Sequence, residues 1–158
     1  MKRFVAICAL VLPLAAWAGL DEGIEAYTIG DFAKALAEFQ VLADQGNVEG
    51  QYFLGLFYHN AFGVKRDQAE AVKWFLKAAQ QGDARSQYYV GIMYAAGQGV
   101  AKDLPAAAMW LSLSAANPKS SYRDSLYTRE EIGKIEKKMT PEQIAQAKEL
   151  ARNWKPQN

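Results

Sequence analysis

A 36-residue internal repeat constrains the fold of this 158-residue chain more than any other feature. Residues 46–81 and 82–117 align without a gap and share 11 identical positions. A fixed period of this length is typical of stacked repeat units that cannot bury their apolar faces alone. Half of an earlier unit, residues 31–43, aligns at the same spacing. The identical pairs include Gln51 and Gln87, Tyr52 and Tyr88, Gly55 and Gly91, Asp67 and Asp103, and Trp74 and Trp110.

The second half of each unit has the pattern of an amphipathic helix. Apolar residues recur in 71–79 at i, i+3, i+4, i+7 and i+8, which places them on one helical face. Asp67 and Glu70 have the spacing of a capping box at the start of this helix. Gly82 follows its end, where glycine adopts the left-handed conformation at little cost. Each unit is therefore predicted to be a helix, a loop and a second helix, in an all-α fold.

Two pairs of equivalent residues predict how the helices pack. Gly55 and Gly91 lie in the middle of the first helices, where glycine costs about 1 kcal/mol relative to alanine. A cost repeated at the same position predicts that another helix passes closely over it. Trp74 and Trp110 are predicted to be core residues, since large aromatic side chains at helical spacing usually pack in the interior.

The first 18 residues have the layout of a secretory signal peptide. Positive residues 2–3 precede an apolar run at 4–14, and small residues follow at Ala16 and Ala18. Residues 4–20 are fewer than the roughly 20 that a membrane anchor needs. We expect cleavage after Ala18, which removes the only cysteine and directs the protein to the periplasm or to secretion.

Composition argues against several classes of function. Lys and Arg number 18 and Asp and Glu number 17, so the chain lacks the excess of positive charge that is typical of nucleic-acid-binding proteins. One cysteine and one histidine make a zinc site, a disulfide framework or a Cys–His nucleophile improbable. Phosphate-binding, metalloprotease and nucleophile-elbow motifs do not occur. We therefore expect no enzyme, no cofactor and no metal.

The segment after the second repeat is predicted to be a helical cap. Spacing of apolar residues favours one helix over about 121–138. Residues 140–143, Thr-Pro-Glu-Gln, form a second capping box with proline at the first helical position. An apolar stripe then runs from Ile144 to Trp154. Solenoids need such atypical ends to cover the last repeat.

The repeats resemble a known family. The resemblance lies in residues 51–58, Gln-Tyr-Phe-Leu-Gly-Leu-Phe-Tyr, in the pair 63–64 and in residues 77–83, Lys-Ala-Ala-Gln-Gln-Gly-Asp. These segments look like the Sel-one-like repeat (SLR), a relative of the tetratricopeptide repeat, as it occurs in secreted bacterial members. The resemblance implies a short right-handed α-solenoid with a C-terminal helical cap. The expected divisions are a signal peptide at 1–18, a degenerate repeat at 19–46, repeats at 47–82 and 83–117, and capping helices at 118–158.

The resemblance also implies a binding surface. In the tetratricopeptide groove the first helices line the concave face, and mapping this arrangement onto the chain selects a set of partner-binding residues. Tyr52 and Tyr88 lie two residues before core positions, about 200° round the helix, so they are expected to face a partner. The alternative is that both tyrosines are core residues. The predicted set is Glu49, Tyr52, Leu56, His59, Arg85, Tyr88 and Ile92.

The leading functional hypothesis is an exported, non-enzymatic module that binds another protein or a peptide in the cell envelope. It could act as an adaptor, a regulator or an immunity-type partner. The resemblance also suggests a β-lactam-binding or weakly β-lactam-hydrolysing protein, which a nitrocefin assay would detect. Secreted members of that kind carry a cysteine pair in each repeat, and the mature chain would have none. A structural spacer without a preferred ligand is the third hypothesis.

Overall fold

Eight α-helices form the part of the protein that the computed structural model describes, residues 14–157, and no strand occurs within this range. Short loops join them, and consecutive helices from α1 to α7 pack against each other. In chain order they are α1 Leu14–Ile29, α2 Phe32–Asp44, α3 Val48–Asn60, α4 Gln68–Gln80, α5 Ala84–Ala96, α6 Leu104–Ala116, α7 Tyr122–Glu136 and α8 Pro141–Asn153.

The helices stack into a short α-solenoid, as predicted. Each helix from α2 to α6 packs against both the helix before it and the helix after it, and α6 contacts both α7 and α8. Three clusters of buried apolar side chains run along the stack, at the N-terminal pairs, between the two repeats and beneath the last helices.

Side-chain caps fix where the helices begin. An Asp, Asn, Ser or Thr side chain accepts a hydrogen bond from a first-turn N–H in each helix from α2 to α8. The predicted capping box at Thr140 is present, since the Gln143 side chain also accepts from the Thr140 N–H. The box predicted at Asp67 is incomplete. The Asp67 N–H donates instead to the Tyr58 carbonyl at 3.1 Å, and the Glu70 carboxylate pairs with a lysine.

Close helix packing explains the mid-helix glycines. A Cβ atom at Gly55 would lie 2.5 Å from the ring of Phe75 on α4, and one at Gly91 would lie 2.6 Å from Leu111 on α6. In each repeat, therefore, the second helix crosses the first at its glycine. This confirms the packing that the repeated glycines predict.

The C-terminal tail returns to the repeats after α8. Trp154 meets Trp110 of α6 edge to face, with ring centroids 6.2 Å apart. Three residues later, the Gln157 N–H donates to the Gln80 carbonyl at the end of α4, at 2.8 Å. The tail thus connects the end of α8 with the first complete repeat.

The N-terminal predictions fall partly outside the described residues, among them the positive segment at 2–3 and Cys8. Helix α1 runs across the expected cleavage point between Ala18 and Gly19. Its Ala26 is 2% exposed and belongs to the first core cluster. None of the helices that the structure describes has the length and apolar character needed to cross a bilayer.

Candidate functional site

Two repeats bring three of the predicted site residues to one cavity. Tyr52 on α3 and Arg85 and Tyr88 on α5 line a cavity of about 420 Å³ that extends to the start of α7. We refer to it as the tyrosine cavity. Its other lining residues are Ala84, Tyr89, Ser114, Lys119, Ser120, Ser121, Asp124, Tyr127 and Thr128.

Arg85 connects the two repeats at the edge of this cavity. Its Nη2 donates to Glu49 Oε1 on α3 at 2.7 Å and to Asp83 Oδ2 at 2.8 Å. The guanidinium also lies over the Tyr52 ring, with Cζ 4.1 Å from the ring centroid. Partial burial lowers the pKa of Arg85, but the hydrogen bonds to the two carboxylates outweigh it and hold the pKa above its usual value. The arginine is therefore charged and fixed in position.

Tyr52 and Tyr88 are half-buried, so they do not face solvent freely as their place on the helical wheel predicts. The Tyr52 ring centroid is 6.1 Å from that of Phe75 and 6.3 Å from that of Tyr89. Tyr88 lies 6.0 Å from Tyr127 on α7. In a solenoid the first helix has neighbours on several sides, so a side chain opposite one core stripe still meets another helix. Both tyrosines combine packing against neighbouring rings with partial exposure.

The other predicted residues lie elsewhere. Leu56 is 8% exposed and belongs to the core cluster between the repeats, so its predicted place on the binding face is wrong. His59 does not line the tyrosine cavity. It is half-buried, its Nδ1 lies 2.9 Å from Gln68 Oε1, and its ring packs 5.6 Å from Tyr89. Ile92 is half-buried against two core clusters.

Comparison with known proteins agrees with the repeat architecture. Residues 48–83 and 84–118 each match the family model of the Sel1 repeat. This chain is a Sel1 repeat protein. The two matches cover helices α3 to α6 and therefore contain the part of the tyrosine cavity formed by Tyr52, Arg85 and Tyr88.

Two solved structures share the fold of this Sel1 repeat protein. A protective antigen of uropathogenic Escherichia coli strains, with an SLR fold, is 30% identical, at a TM-score of 0.80 over 88% of this chain and 29% of that protein. A Sel1 repeat protein from Oxalobacter formigenes is 24% identical, at a TM-score of 0.63 over 84% of this chain and 54% of that one. The chain spans less than two thirds of either protein. No curated protein sequence matches it.

Sequence patterns missed the half of the cavity that lies outside the repeats. Lys119, Asp124 and Tyr127 belong to the loop before α7 and to α7 itself, a segment interpreted only as a cap. A second cavity of about 430 Å³ adjoins the first and shares Ala84, Arg85 and Lys119 with it. The Sel1 repeats of this protein therefore line the tyrosine cavity together with the helix that follows them.

The side chains that line the cavity are mostly aromatic, hydroxyl-bearing or charged. Aromatic faces, hydroxyl groups and a fixed guanidinium offer packing surface and hydrogen bonds. Among residues 14–157, no three His, Cys, Asp or Glu side chains lie close enough together to hold a metal ion. His59, the one histidine of the chain, is held by Gln68 and a tyrosine ring away from the cavity.

The raised pKa values of two cavity tyrosines make the stability of this Sel1 repeat protein depend on pH in the alkaline range. Burial, together with the nearby Tyr89, raises the pKa of Tyr52 from 10.0 to about 12. Burial, with the neighbouring Tyr127 second, also raises the pKa of Tyr88. Because the folded state favours the neutral phenol, the stability that the raised pKa of Tyr52 contributes is complete below pH 10 and is lost as the pH rises from 10 to 12.

We expect Tyr52→Phe to remove one late-titrating group. Absorbance titration of tyrosinate in the parent protein should show a late component near pH 12, and this component should be smaller by one tyrosine in the variant, because phenylalanine has no hydroxyl to ionise while Tyr88 is retained. Urea unfolding of the two proteins at pH 9 and pH 11 should show a smaller loss of stability with pH for the variant. Identical titration curves for both proteins would contradict the burial of the Tyr52 hydroxyl.

Proposed function

We propose that this protein is an exported, non-enzymatic Sel1 repeat module that binds another protein or a peptide of the cell envelope. The binding face is the surface of α3 and α5 around the tyrosine cavity. The observation that carries the proposal is the convergence of Tyr52, Arg85 and Tyr88 from two repeats on one cavity. Tyrosine and arginine are the residue types that most often supply binding energy at protein interfaces.

Preorganisation supports a recognition role for this face. Arg85 is held between Glu49 and Asp83 and stacks on Tyr52. Side chains that are already fixed lose little conformational freedom when a partner binds, so more of the contact energy remains as affinity. The module would act as an adaptor, a regulator of an envelope protein or an immunity-type partner.

Loss of both cavity tyrosines should abolish partner capture. We expect Tyr52→Ser combined with Tyr88→Ser to reduce capture from envelope extract by at least about tenfold per folded molecule, since anchor residues dominate interface energies. The matched control is Tyr58→Ser combined with Tyr94→Ser. These tyrosines lie on the same two helices, one period apart, and are half-buried outside the cavity.

Quantitative mass spectrometry of captured proteins, normalised to the folded fraction by circular dichroism, gives the comparison. A partner lost equally from both double variants would indicate a general effect of destabilisation. A partner retained by the cavity variant would place the binding face elsewhere.

Export predicts a defined N-terminus. If the signal peptide is cleaved after Ala18, the protein recovered from the periplasm or medium should begin at Gly19, as read by N-terminal sequencing. Replacing Ala18 with a bulky residue should block processing and retain the precursor in the membrane fraction. Recovery of the unaltered protein with Met1 intact would rule out the expected cleavage.

A further inference from the structure

Four tyrosine rings, of residues 52, 88, 89 and 127, form much of the wall of the tyrosine cavity. Tyr89 stacks flat on Phe75, with ring centroids 4.6 Å apart and an interplanar angle of 2°. Because Phe75 is 0% exposed, this part of the wall is rigid. An apolar side chain that enters the cavity meets aromatic surface that is already in place, so little ordering is needed on binding.

The serine and threonine hydroxyl groups around the wall already donate their protons within the protein. Ser120 Oγ donates to the Ser114 carbonyl at 2.8 Å, Ser121 Oγ to Asp124 Oδ2 at 2.6 Å, and Thr128 Oγ1 to the Asp124 carbonyl at 2.8 Å. Each hydroxyl oxygen keeps acceptor capacity. This arrangement suits the backbone N–H groups of an extended peptide lying across the mouth of the cavity.

The charges in the lining disfavour a charged occupant. Arg85 is already paired with Glu49 and Asp83. Asp124 lies in the first turn of α7, where the helix dipole stabilises a carboxylate. Lys119 has no carboxylate within 4.0 Å among the described residues. A charged occupant of either sign would meet one like charge and one opposite charge, at Asp124 and Lys119, so the lining offers no net attraction to offset the cost of removing that charge from water.

We propose that the tyrosine cavity is the anchor pocket for one uncharged aromatic or large aliphatic side chain of an extended partner peptide, and that α7 is part of the binding face. The proposal rests on the proposed function and specifies its partner. The volume of about 420 Å³ agrees with this occupant, because it lies near the lower end of the roughly 300–1,000 Å³ of small-ligand sites. It accommodates a side chain and a short stretch of backbone.

Titration of the isotope-labelled protein with single amino-acid amides, followed by NMR, tests this chemistry. N-acetyl-phenylalanine amide should bind with a Kd of about 1 mM, typical of a fragment of this size. The largest shifts should occur at amides of residues 84–89 and 119–128. N-acetyl-lysine amide and N-acetyl-glutamate amide should bind at least about tenfold more weakly, because the lining offers no net attraction to offset the desolvation of their charge. N-acetylglucosamine serves as the saccharide probe and should not bind.

Two adjacent residues on α7 provide a matched pair of variants. Tyr127 is 53% exposed and lines the cavity, whereas Leu126 is 48% exposed and does not. Tyr127→Ala should weaken binding of the phenylalanine probe about fivefold or more through loss of ring contact, and Leu126→Ala should leave it unchanged. Lys119→Trp places a large side chain at an exposed loop position in the lining, so it should block binding of the phenylalanine probe without altering the core. This variant replaces Tyr127→Ala as the test if Tyr127→Ala does not fold.

Several results would overturn the anchor pocket. These are equal affinity for the charged and uncharged probes, saturation by N-acetylglucosamine alone, shifts confined to other helices, and equal effects of the two α7 variants. Failure of the anchor pocket is distinguishable from failure of the proposed function. The distinguishing result is capture of the envelope partner that depends on Tyr52 and Tyr88, while the phenylalanine probe does not bind and Tyr127→Ala has no effect. That result would support the proposed binding face and would refute the anchor pocket.

Discussion

Trp74→Ala is expected to destabilise the protein by about 3–5 kcal/mol, the range for loss of a large aromatic side chain from a core. Trp74 is 6% exposed and packs in the first core cluster with residues of three other helices. The Lys77 ammonium also lies 3.9 Å from its ring centroid. Removing the side chain leaves a cavity between helices and also removes this contact. Equilibrium unfolding in urea measures the change.

Two further variants separate packing from polarity at this position. The Trp74 Nε1 is buried and has no hydrogen-bond partner among the described residues. Trp74→Phe removes that unsatisfied donor and leaves a smaller cavity, so it should cost less than about 2 kcal/mol. Val41→Ala, at a position 56% exposed, is the surface control and should cost about 0.5 kcal/mol or less. Near-identical unfolding curves for Trp74→Ala and Val41→Ala would show that Trp74 is not a core residue.

Gly55→Val should be destabilising by about 3 kcal/mol, at the upper end of the usual cost of overpacking. The first added carbon would lie 2.5 Å from the ring of Phe75, which is fully buried and cannot move aside freely. Two further methyl groups increase the clash. Helices α3 and α4 would have to separate, and the cluster between the repeats would lose its packing. Urea unfolding and the melting temperature both report the loss.

Gly133→Val is the matched control, because it makes the same chemical change at a helical glycine. Apart from its two chain neighbours and the nearby backbone of α7 itself, no atom of the described residues lies within 4 Å of a Cβ at Gly133. Valine has a slightly better helix propensity than glycine, so this variant should be unchanged or more stable by about 0.3 kcal/mol. Equal destabilisation at both glycines would mean that valine disfavours these helices by itself, and close packing of α3 on α4 would not be the cause.

The helices and their order were predictable because the same local signals occur at the same positions in each unit. The apolar period defines α4 and α6, and Asp67 and Asp103 mark where they begin. The repeated glycines indicated the close crossings. The capping box at Asp67 was not predictable in the same way, because a backbone carbonyl from the preceding helix takes the N–H that Glu70 would otherwise accept.

The candidate site was only partly predictable. Arg85 and the two tyrosines were selected because the resemblance to the tetratricopeptide groove assigns the first helices to the concave face, and all three line the tyrosine cavity. Leu56 was misplaced, because the helical wheel of an isolated helix omits the neighbouring repeat that buries it. Tyr127 was missed, because its segment has no equivalent in the repeats and its position beside Tyr88 depends on how α7 packs on α6.

The tail contact alters how such a stack comes apart. When each unit touches only its neighbours, the ends of a repeat array fray independently and stability is close to a sum over units. Here the chain beyond α8 hydrogen-bonds to the end of α4 and places Trp154 against Trp110. The last helices therefore cannot detach while this contact persists. Opening at the C-terminal end becomes coupled to the repeats that line the tyrosine cavity, and the array gains cooperativity that nearest-neighbour stacking alone would not provide.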